Sequence, residues 1–242
     1  MARDNEVNCI KNVISAFRDE GCFHIESCNC NRSDILKALQ NLSEPSDANQ
    51  FPDFIFNDGI IEHFVVTGYK ESIKGSEFKI EEFKRNKETE TFFKEEDKKI
   101  LNSSRNPGTF YSVNHENTYS NSTYENFVFS FKRNFNHHSE SLQKSKYMNE
   151  AVIFLIEQED ARLGIYENNM FKRFYLLSED KILLSYLKEK FPLINYVIFN
   201  SNDSVEIIDL SNLEKMINRA KEGLDIRSGR KREPSLKIYW DL

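Results

Sequence analysis

The sequence lacks the long apolar segments that membrane and secreted proteins carry. Its longest apolar runs, such as residues 151–156, are far too short to cross a bilayer. The polar start MARDNEVN has no apolar core of the kind that a signal peptide needs. We therefore expect a cytoplasmic protein that makes no contact with a membrane.

Several common catalytic and nucleotide-binding motifs are also missing. The sequence contains no P-loop, no dinucleotide-binding glycine fingerprint, no HExxH motif and no serine nucleophile elbow. These absences remove the usual signatures of P-loop NTPases, dinucleotide-dependent enzymes, zinc proteases and serine hydrolases. Any chemistry has to come from a different arrangement of side chains.

Cysteine is scarce, and all four cysteines lie within the first 30 residues. In a reducing cytosol they are expected to be thiols rather than disulfides. Cys22, His24, Cys28 and Cys30 can be read as the zinc ligands of a regulatory protein. Their spacing departs from that of structural zinc sites, and no second ligand cluster follows. We favour small buried side chains on a strand and its turn, and zinc remains the alternative.

Acidic residues outnumber basic ones, 39 against 33, and the formal net charge is −6 at pH 7. This balance argues against a protein that coats nucleic acid non-specifically. Two basic islands stand out, at residues 132–146 and in a C-terminal tail at residues 227–242. A solvated surface is the default explanation of both. The 20 Phe and 10 Tyr residues suffice for one core, so we expect a single domain over residues 1–242.

Hydrophobic periodicity predicts a mixture of helices and strands. Four helices are predicted at residues 4–19, 33–44, 76–99 and 124–147, and two more are predicted to begin at Ser178 and at Ser211. The predicted strands cover residues 51–56, 60–67, 151–156, 194–199 and 205–210. Residues 102–123 are expected to form a long mobile loop, and residues 157–176 show no clear pattern. The strand, helix and strand between 151 and 199 require a right-handed parallel crossover. The fold class is therefore α/β: a mixed sheet with an antiparallel hairpin and a parallel crossover, flanked by helices.

The most informative segment is the hairpin around Asn57-Asp58-Gly59, a strong short-range turn signal. If Asn57 and Asp58 form a two-residue turn, Asp53 falls directly opposite Glu62 on one face. Two like charges in that position destabilise the hairpin unless a cation neutralises them, and carboxylates are ligands that Mg²⁺ and Mn²⁺ prefer. A three-residue turn would separate the pair. Alternatively, Asp53 lies in water and Glu62 pairs with a lysine.

Pro52-Asp53, followed by Glu62 in the middle of the next strand and then by helices, resembles the PD-(D/E)xK nuclease superfamily. The resemblance implies a restriction-endonuclease-like fold, in which a helix, a strand meander, a helix and a further strand follow in order. The motif lysine would stand at Phe64. Because members of the family move this lysine to neighbouring elements, the resemblance implies Lys74 first, then Lys70, with Lys79 also within range. It also makes Glu20, on the first helix, a further candidate metal ligand.

The function implied by the resemblance is metal-dependent hydrolysis of phosphodiester bonds in nucleic acid, in a bacterial antiviral or mobile-element setting. Asp53 and Glu62 would hold Mg²⁺ or Mn²⁺, and a displaced lysine would orient the attacking water. DNA is the first choice of substrate, with RNA also open, and a homodimer or a partner subunit is expected at the family level. The alternative is a non-catalytic nuclease-like module that binds a partner protein or nucleic acid, which Phe64 favours.

Three histidines lie near these elements in the sequence. His63 should point to the opposite face of its strand from Glu62, which suggests a structural role. His137 and His138 lie on the predicted helix 124–147, where they could touch phosphate or simply form a polar helix face. His138 also recurs with Phe127, Phe131 and Leu142 at helical spacing.

Overall fold

The fold is built on a central five-stranded sheet, seen in a computed structural model. The structure describes residues 2–18, 32–45, 51–69, 76–102, 110–118, 122–159, 163–190, 193–201, 204–228 and 230–238. The helices are α1 (Ala2–Arg18), α2 (Arg32–Gln40), α3 (Ser76–Asn102), α4 (Tyr124–Lys144), α5 (Lys181–Lys190) and α6 (Leu213–Arg219). The strands are β1 (Phe54–Phe56), β2 (Gly59–Val66), β3 (Phe110–Thr118), β4 (Ala151–Gln158), β5 (Leu163–Glu167), β6 (Met170–Phe174), β7 (Tyr196–Ser201), β8 (Ser204–Asp209), β9 (Asp225–Ser228) and β10 (Arg230–Ile238).

The central sheet has the order β1-β2-β4-β7-β8. The outer pairs β1–β2 and β7–β8 are antiparallel, whereas β2–β4 and β4–β7 are parallel. The predicted α/β class, with an antiparallel hairpin joined to parallel strands, is confirmed. The inner strands are almost continuously apolar because both faces of the sheet are covered.

Successive residues of β2 face two different cores. On one side, Ile60, Phe64 and Val66 pack in a core with α4, α5 and α6. The buried side chains of these helices in that core include Phe127, Phe131, Phe135, Leu183, Leu187, Leu213 and Met216. Ile61 packs on the other side, against Cys9 and Val13 of α1 and against α2. The molecule therefore has helices on both faces of its central sheet. Even-numbered residues of β2 face one set of helices and odd-numbered residues face the other.

Two smaller sheets lie outside the central one. In the first, β5 pairs with both β6 and β9, and the β5–β6 turn places Asn168 and Asn169 at positive φ, as a tight hairpin requires. In the second, β10 pairs with β3 along nine residues. Among the described helices, none is both long and apolar enough to cross a membrane.

Two sequence predictions need correction, and the basic tail contains strands that the sequence did not predict. The predicted loop 102–123 contains strand β3, although residues 103–109 and 119–121 lie outside the described part. The predicted basic tail 227–242 contains the end of β9 and strand β10, which pairs with β3. The helix expected to start at Ser178 starts at Lys181, because the carboxylate of Asp180, not Ser178, accepts the N–H of Leu183 at 3.0 Å. The single-domain division stays a prediction.

Candidate functional site

The β1–β2 hairpin brings Asp53 and Glu62 into direct contact. Phe54 pairs with Ile61 and Phe56 with Gly59, so the predicted two-residue turn is confirmed. The Asp53 N–H donates to Glu62 Oε2 at 3.1 Å. The predicted opposition of the two residues is therefore present in the structure, and the three-residue turn that would separate them is excluded.

Asp53 lies where strand β1 begins, beside a part of β2 that has no paired strand residue on that side. Its Oδ2 accepts the N–H of His63 at 2.7 Å, so the side chain takes a backbone donor that a longer β1 would have paired. Pro52 precedes it and has no N–H of its own to offer. The Asp53 carboxylate is thereby fixed in position by the backbone of the neighbouring strand.

His138 of α4 is the third member of the site. Its Nδ1 lies 2.6 Å from Glu62 Oε1, and its ring stacks on Phe64 with the centroids 4.7 Å apart. Phe64 is two residues after Glu62 and therefore on the same face of β2. Phe64, at the position expected for the motif lysine, thus packs against the His138 imidazole that contacts Glu62. The sequence alone allows two roles for His138, a phosphate contact or part of a polar helix face. Its helical spacing with Phe131 and Leu142, however, already indicates the inner face of the helix.

Burial opposes charge on all three groups. It raises the pKa of Glu62 from 4.5 to about 8, and burial with the nearby Glu62 charge raises the pKa of Asp53 from 3.8 to about 6. Burial also lowers the pKa of His138. In the hydrogen bond between Glu62 and His138, burial thus disfavours the charged form of both groups. A cation bound between these two carboxyl groups would offset the free-energy cost of ionising them.

None of the predicted accessory side chains is among those that the structure describes. Lys70, Lys74 and Glu20 fall outside the described residues, as does the side chain of Lys79. In the part of the chain that is described, no lysine contacts either carboxylate; their side-chain neighbour is a histidine. Glu6 of α1 is close enough for its charge to raise the pKa of Glu62 further. An acidic residue of the first helix is thus close enough to influence Glu62, and the prediction of Glu20 as a ligand stays a prediction.

In comparisons with protein-family models, with curated protein sequences and with solved structures, nothing matches this chain. Function therefore has to be inferred from the chemistry of the residues themselves.

A groove rich in basic side chains lies along the outer face of α4. Lys132, Arg133 and His137 line it together with the acidic Glu140 and with Phe129, which is 62% exposed. His137, which lines this groove, directly precedes His138 in α4, and the centroids of the two rings are 5.3 Å apart. Part of one of the two basic islands seen in the sequence thus lines a groove on α4, where it could attract a polyanion.

A second cluster lies on the opposite face of the sheet. His63 points away from Glu62, as predicted, and its Nε2 lies 3.1 Å from Glu157 Oε2 on β4. The buried thiol of Cys9 completes the group and accepts the Asn200 amide N–H at 3.3 Å. Cys9 is a free cysteine, in agreement with the expectation of thiols. The other three, Cys22, Cys28 and Cys30, lie outside the described residues.

Proposed function

We propose that this protein is a metal-dependent nuclease that hydrolyses phosphodiester bonds of nucleic acid, with Asp53 and Glu62 as ligands of Mg²⁺ or Mn²⁺. The observation that carries the proposal is the contact of two acidic residues across the hairpin, in which the Asp53 N–H donates to Glu62 Oε2 and both carboxyl groups have a raised pKa. A pair of like charges costs folding free energy, and a function that uses the pair explains its presence.

The donor set fits a hard divalent cation. Both residues offer carboxylate oxygens, the ligands that Mg²⁺ and Mn²⁺ prefer. Among the described residues no lysine or arginine side chain neutralises the pair, since the only side-chain donor in contact with either carboxylate is His138. Their ionisation is opposed chiefly by burial, and a divalent cation would offset that cost.

The order of elements supports a restriction-endonuclease-like core as part of this proposal. Helix α1, the hairpin β1–β2, helix α4 and strand β4 follow in the order that the superfamily uses, with α2 inserted before the hairpin and α3 and β3 before α4. The acidic residues lie at the start of one strand and in the middle of the next, and β2 pairs with β4 in parallel. This agreement extends over the site-bearing half of the central sheet.

Each part of the site has a task in this mechanism. When bound, the cation would lower the pKa of a coordinated water and offset the negative charge of the phosphate. Asp53 and Glu62 would hold it. Neutral His138, in contact with Glu62, is placed to take up the proton that Glu62 gives up on ionising. The basic side chains of the groove along α4 would attract the phosphate backbone of the substrate. Lys74, or else Lys70, would stabilise the negative charge that develops on the phosphate; both lysines lie outside the described residues.

The remaining elements of the proposal follow from the same resemblance. The proposed substrate is DNA before RNA, and the proposed setting is bacterial antiviral defence or a mobile element, in the cytoplasm. A homodimer or a partner subunit is proposed as the working assembly.

A second candidate is a non-catalytic module of the same fold that binds nucleic acid or a partner protein. Phe64 in place of the motif lysine favours it, as does the absence of a lysine contact to the pair within the described residues. The two candidates agree on the fold and differ in whether a bond is cut.

A cleavage assay tests the proposal. Plasmid DNA, linear duplex, single-stranded DNA and RNA are incubated with purified protein and Mg²⁺ or Mn²⁺. We expect cutting by the wild-type chain, and its loss in Asp53→Asn and in Glu62→Gln. Asp58→Asn, the same change in the exposed turn of this hairpin, is the matched control and should cut normally. Cutting that survives in both site variants contradicts the assignment, and a folded wild-type chain that cuts nothing favours the binding module.

A further inference from the structure

Three potential metal ligands of different chemistry converge on the α1 side of the sheet. The Cys9 thiol comes from α1, the His63 imidazole from β2 and the Glu157 carboxylate from β4. Their ligand atoms all lie within 4.8 Å of one another, and His63 Nε2 is 3.1 Å from Glu157 Oε2. The donors around a tetrahedral zinc ion are roughly 3.5 Å apart. Small side-chain adjustments would therefore bring all three onto one ion.

From this geometry we infer that Cys9, His63 and Glu157 form a zinc site, distinct from the Asp53–Glu62 pair. Sulfur and nitrogen donors select zinc and similar borderline metals, whereas Mg²⁺ prefers a shell of oxygens. The two sites differ in donor chemistry and in the face of the sheet that carries them. His63 and Glu62 are neighbours on β2, and side chains alternate between the two faces of a strand. The same strand therefore supplies one ligand to each of the two metal sites.

The surroundings of the cluster suit a bound ion. Cys9 is 1% exposed and His63 is 7% exposed. The Glu157 side chain is 26% exposed. The ion would thus be enclosed by protein on two sides, with an opening beside the carboxylate for a water or an external ligand as the fourth donor. Asn200 Nδ2 donates to Cys9 Sγ at 3.3 Å, which is the kind of outer contact that stabilises a metal-bound thiolate.

A cysteine nucleophile is the competing explanation of a Cys, His and Glu group, and the structure argues against it. A reactive thiol needs exposure and a lowered pKa. Here burial, followed by the charge of Glu157, raises the pKa of Cys9 to about 12. Metal binding would replace the S–H bond by a metal–sulfur bond and release the proton to the solvent. A divalent cation also offsets the charge of Glu157 that keeps the thiol protonated.

Cobalt titration of the whole chain tests the inference. After treatment with a chelator, the protein receives Co²⁺, whose bond to a thiolate gives a near-ultraviolet charge-transfer band. We expect the band to saturate at about one equivalent, with release of protons, and to disappear when Zn²⁺ is added. Cys9→Ser should remove the band. A variant with Cys22, Cys28 and Cys30 all changed to serine should keep it.

The opposite pattern would overturn the inference: a band that survives Cys9→Ser, a band lost in the triple variant, or no band in the wild-type chain. Because Cys9 is buried, Glu157→Gln provides a second variant that leaves the core intact. We expect it to weaken Co²⁺ binding at least about tenfold and to reduce the rise in thermal unfolding temperature that Zn²⁺ gives the wild-type chain. Wild-type affinity in a folded Glu157→Gln variant contradicts the site even if Cys9→Ser fails to fold.

Discussion

Replacing Glu62 by glutamine removes the charge that burial disfavours while keeping the shape of the side chain. In the structure Glu62 Oε2 accepts the Asp53 N–H, and Oε1 faces His138 Nδ1. A glutamine can keep both contacts, because its Oε1 can accept the same N–H and its amide can donate to a neutral His138 Nδ1. We therefore expect Glu62→Gln to fold, and in the absence of metal to be more stable than the wild-type chain at alkaline pH.

The magnitude follows from the pKa of Glu62. Burial raises it from 4.5 to about 8, and each pKa unit corresponds to about 1.4 kcal/mol. Ionising Glu62 in the folded protein thus costs at most about 5 kcal/mol, and local entry of water should reduce this to about 2 to 5 kcal/mol. Because the folded pKa is raised, Glu62 contributes no penalty below its unfolded pKa of 4.5. The penalty grows as the pH rises towards 8.

The assay is urea denaturation of both proteins with a chelator present, at a series of pH values. At about pH 5 the two free energies of unfolding should be close, and at about pH 8.5 Glu62→Gln should be the more stable by about 2 to 5 kcal/mol. Added Mg²⁺ should raise the stability of the wild-type chain at alkaline pH and leave the variant unchanged. Parallel pH profiles for the two proteins would refute the reasoning, because Glu62 would then ionise at no cost.

Three further predictions follow from the site and its hairpin. Divalent-cation affinity, measured by calorimetry, should rise as the pH increases from about 6 to 8, by about tenfold per pH unit for each proton that Asp53 or Glu62 must lose; a flat profile would contradict raised pKa values. Phe64→Leu removes the ring on which His138 stacks, and should cost about 1 to 2 kcal/mol in urea denaturation and slow cleavage if the imidazole takes part. Gly59→Ala would drive a Cβ into the backbone carbonyl of β4, and should lower the free energy of unfolding by about 1 to 3 kcal/mol; unchanged stability would mean that the hairpin junction relaxes freely.

Local signals predicted the hairpin and its register because they depend on neighbouring residues. A two-residue Asn57-Asp58 turn determines every pair up to Phe54 and Ile61, so the proximity of Asp53 and Glu62 follows from chain geometry. The side-chain period of two likewise placed His63 on the opposite face. The same reasoning found the helices on either side of the sheet, since their apolar faces recur every three to four residues.

The parts that local patterns missed depend on contacts between distant residues. Strand β10 pairs with β3 across more than 100 residues, and neither strand has the alternation that would mark it alone. His138 meets Glu62 from 76 residues away. Cys9 and Glu157 are likewise brought together only by the packing of α1 on the sheet. Lysine was expected beside the acidic pair from a family pattern, whereas the described partner is a histidine on α4.

The most direct test of the central claim is a titration of Mn²⁺ into the protein at about pH 8, with the free ion followed by electron paramagnetic resonance. The wild-type chain should remove about one or two equivalents of Mn²⁺ from solution. Asp53→Asn and Glu62→Gln should each weaken this binding by at least about tenfold, and Asp58→Asn should bind as the wild type does. Equal binding by all four proteins would show that Asp53 and Glu62 do not hold the metal.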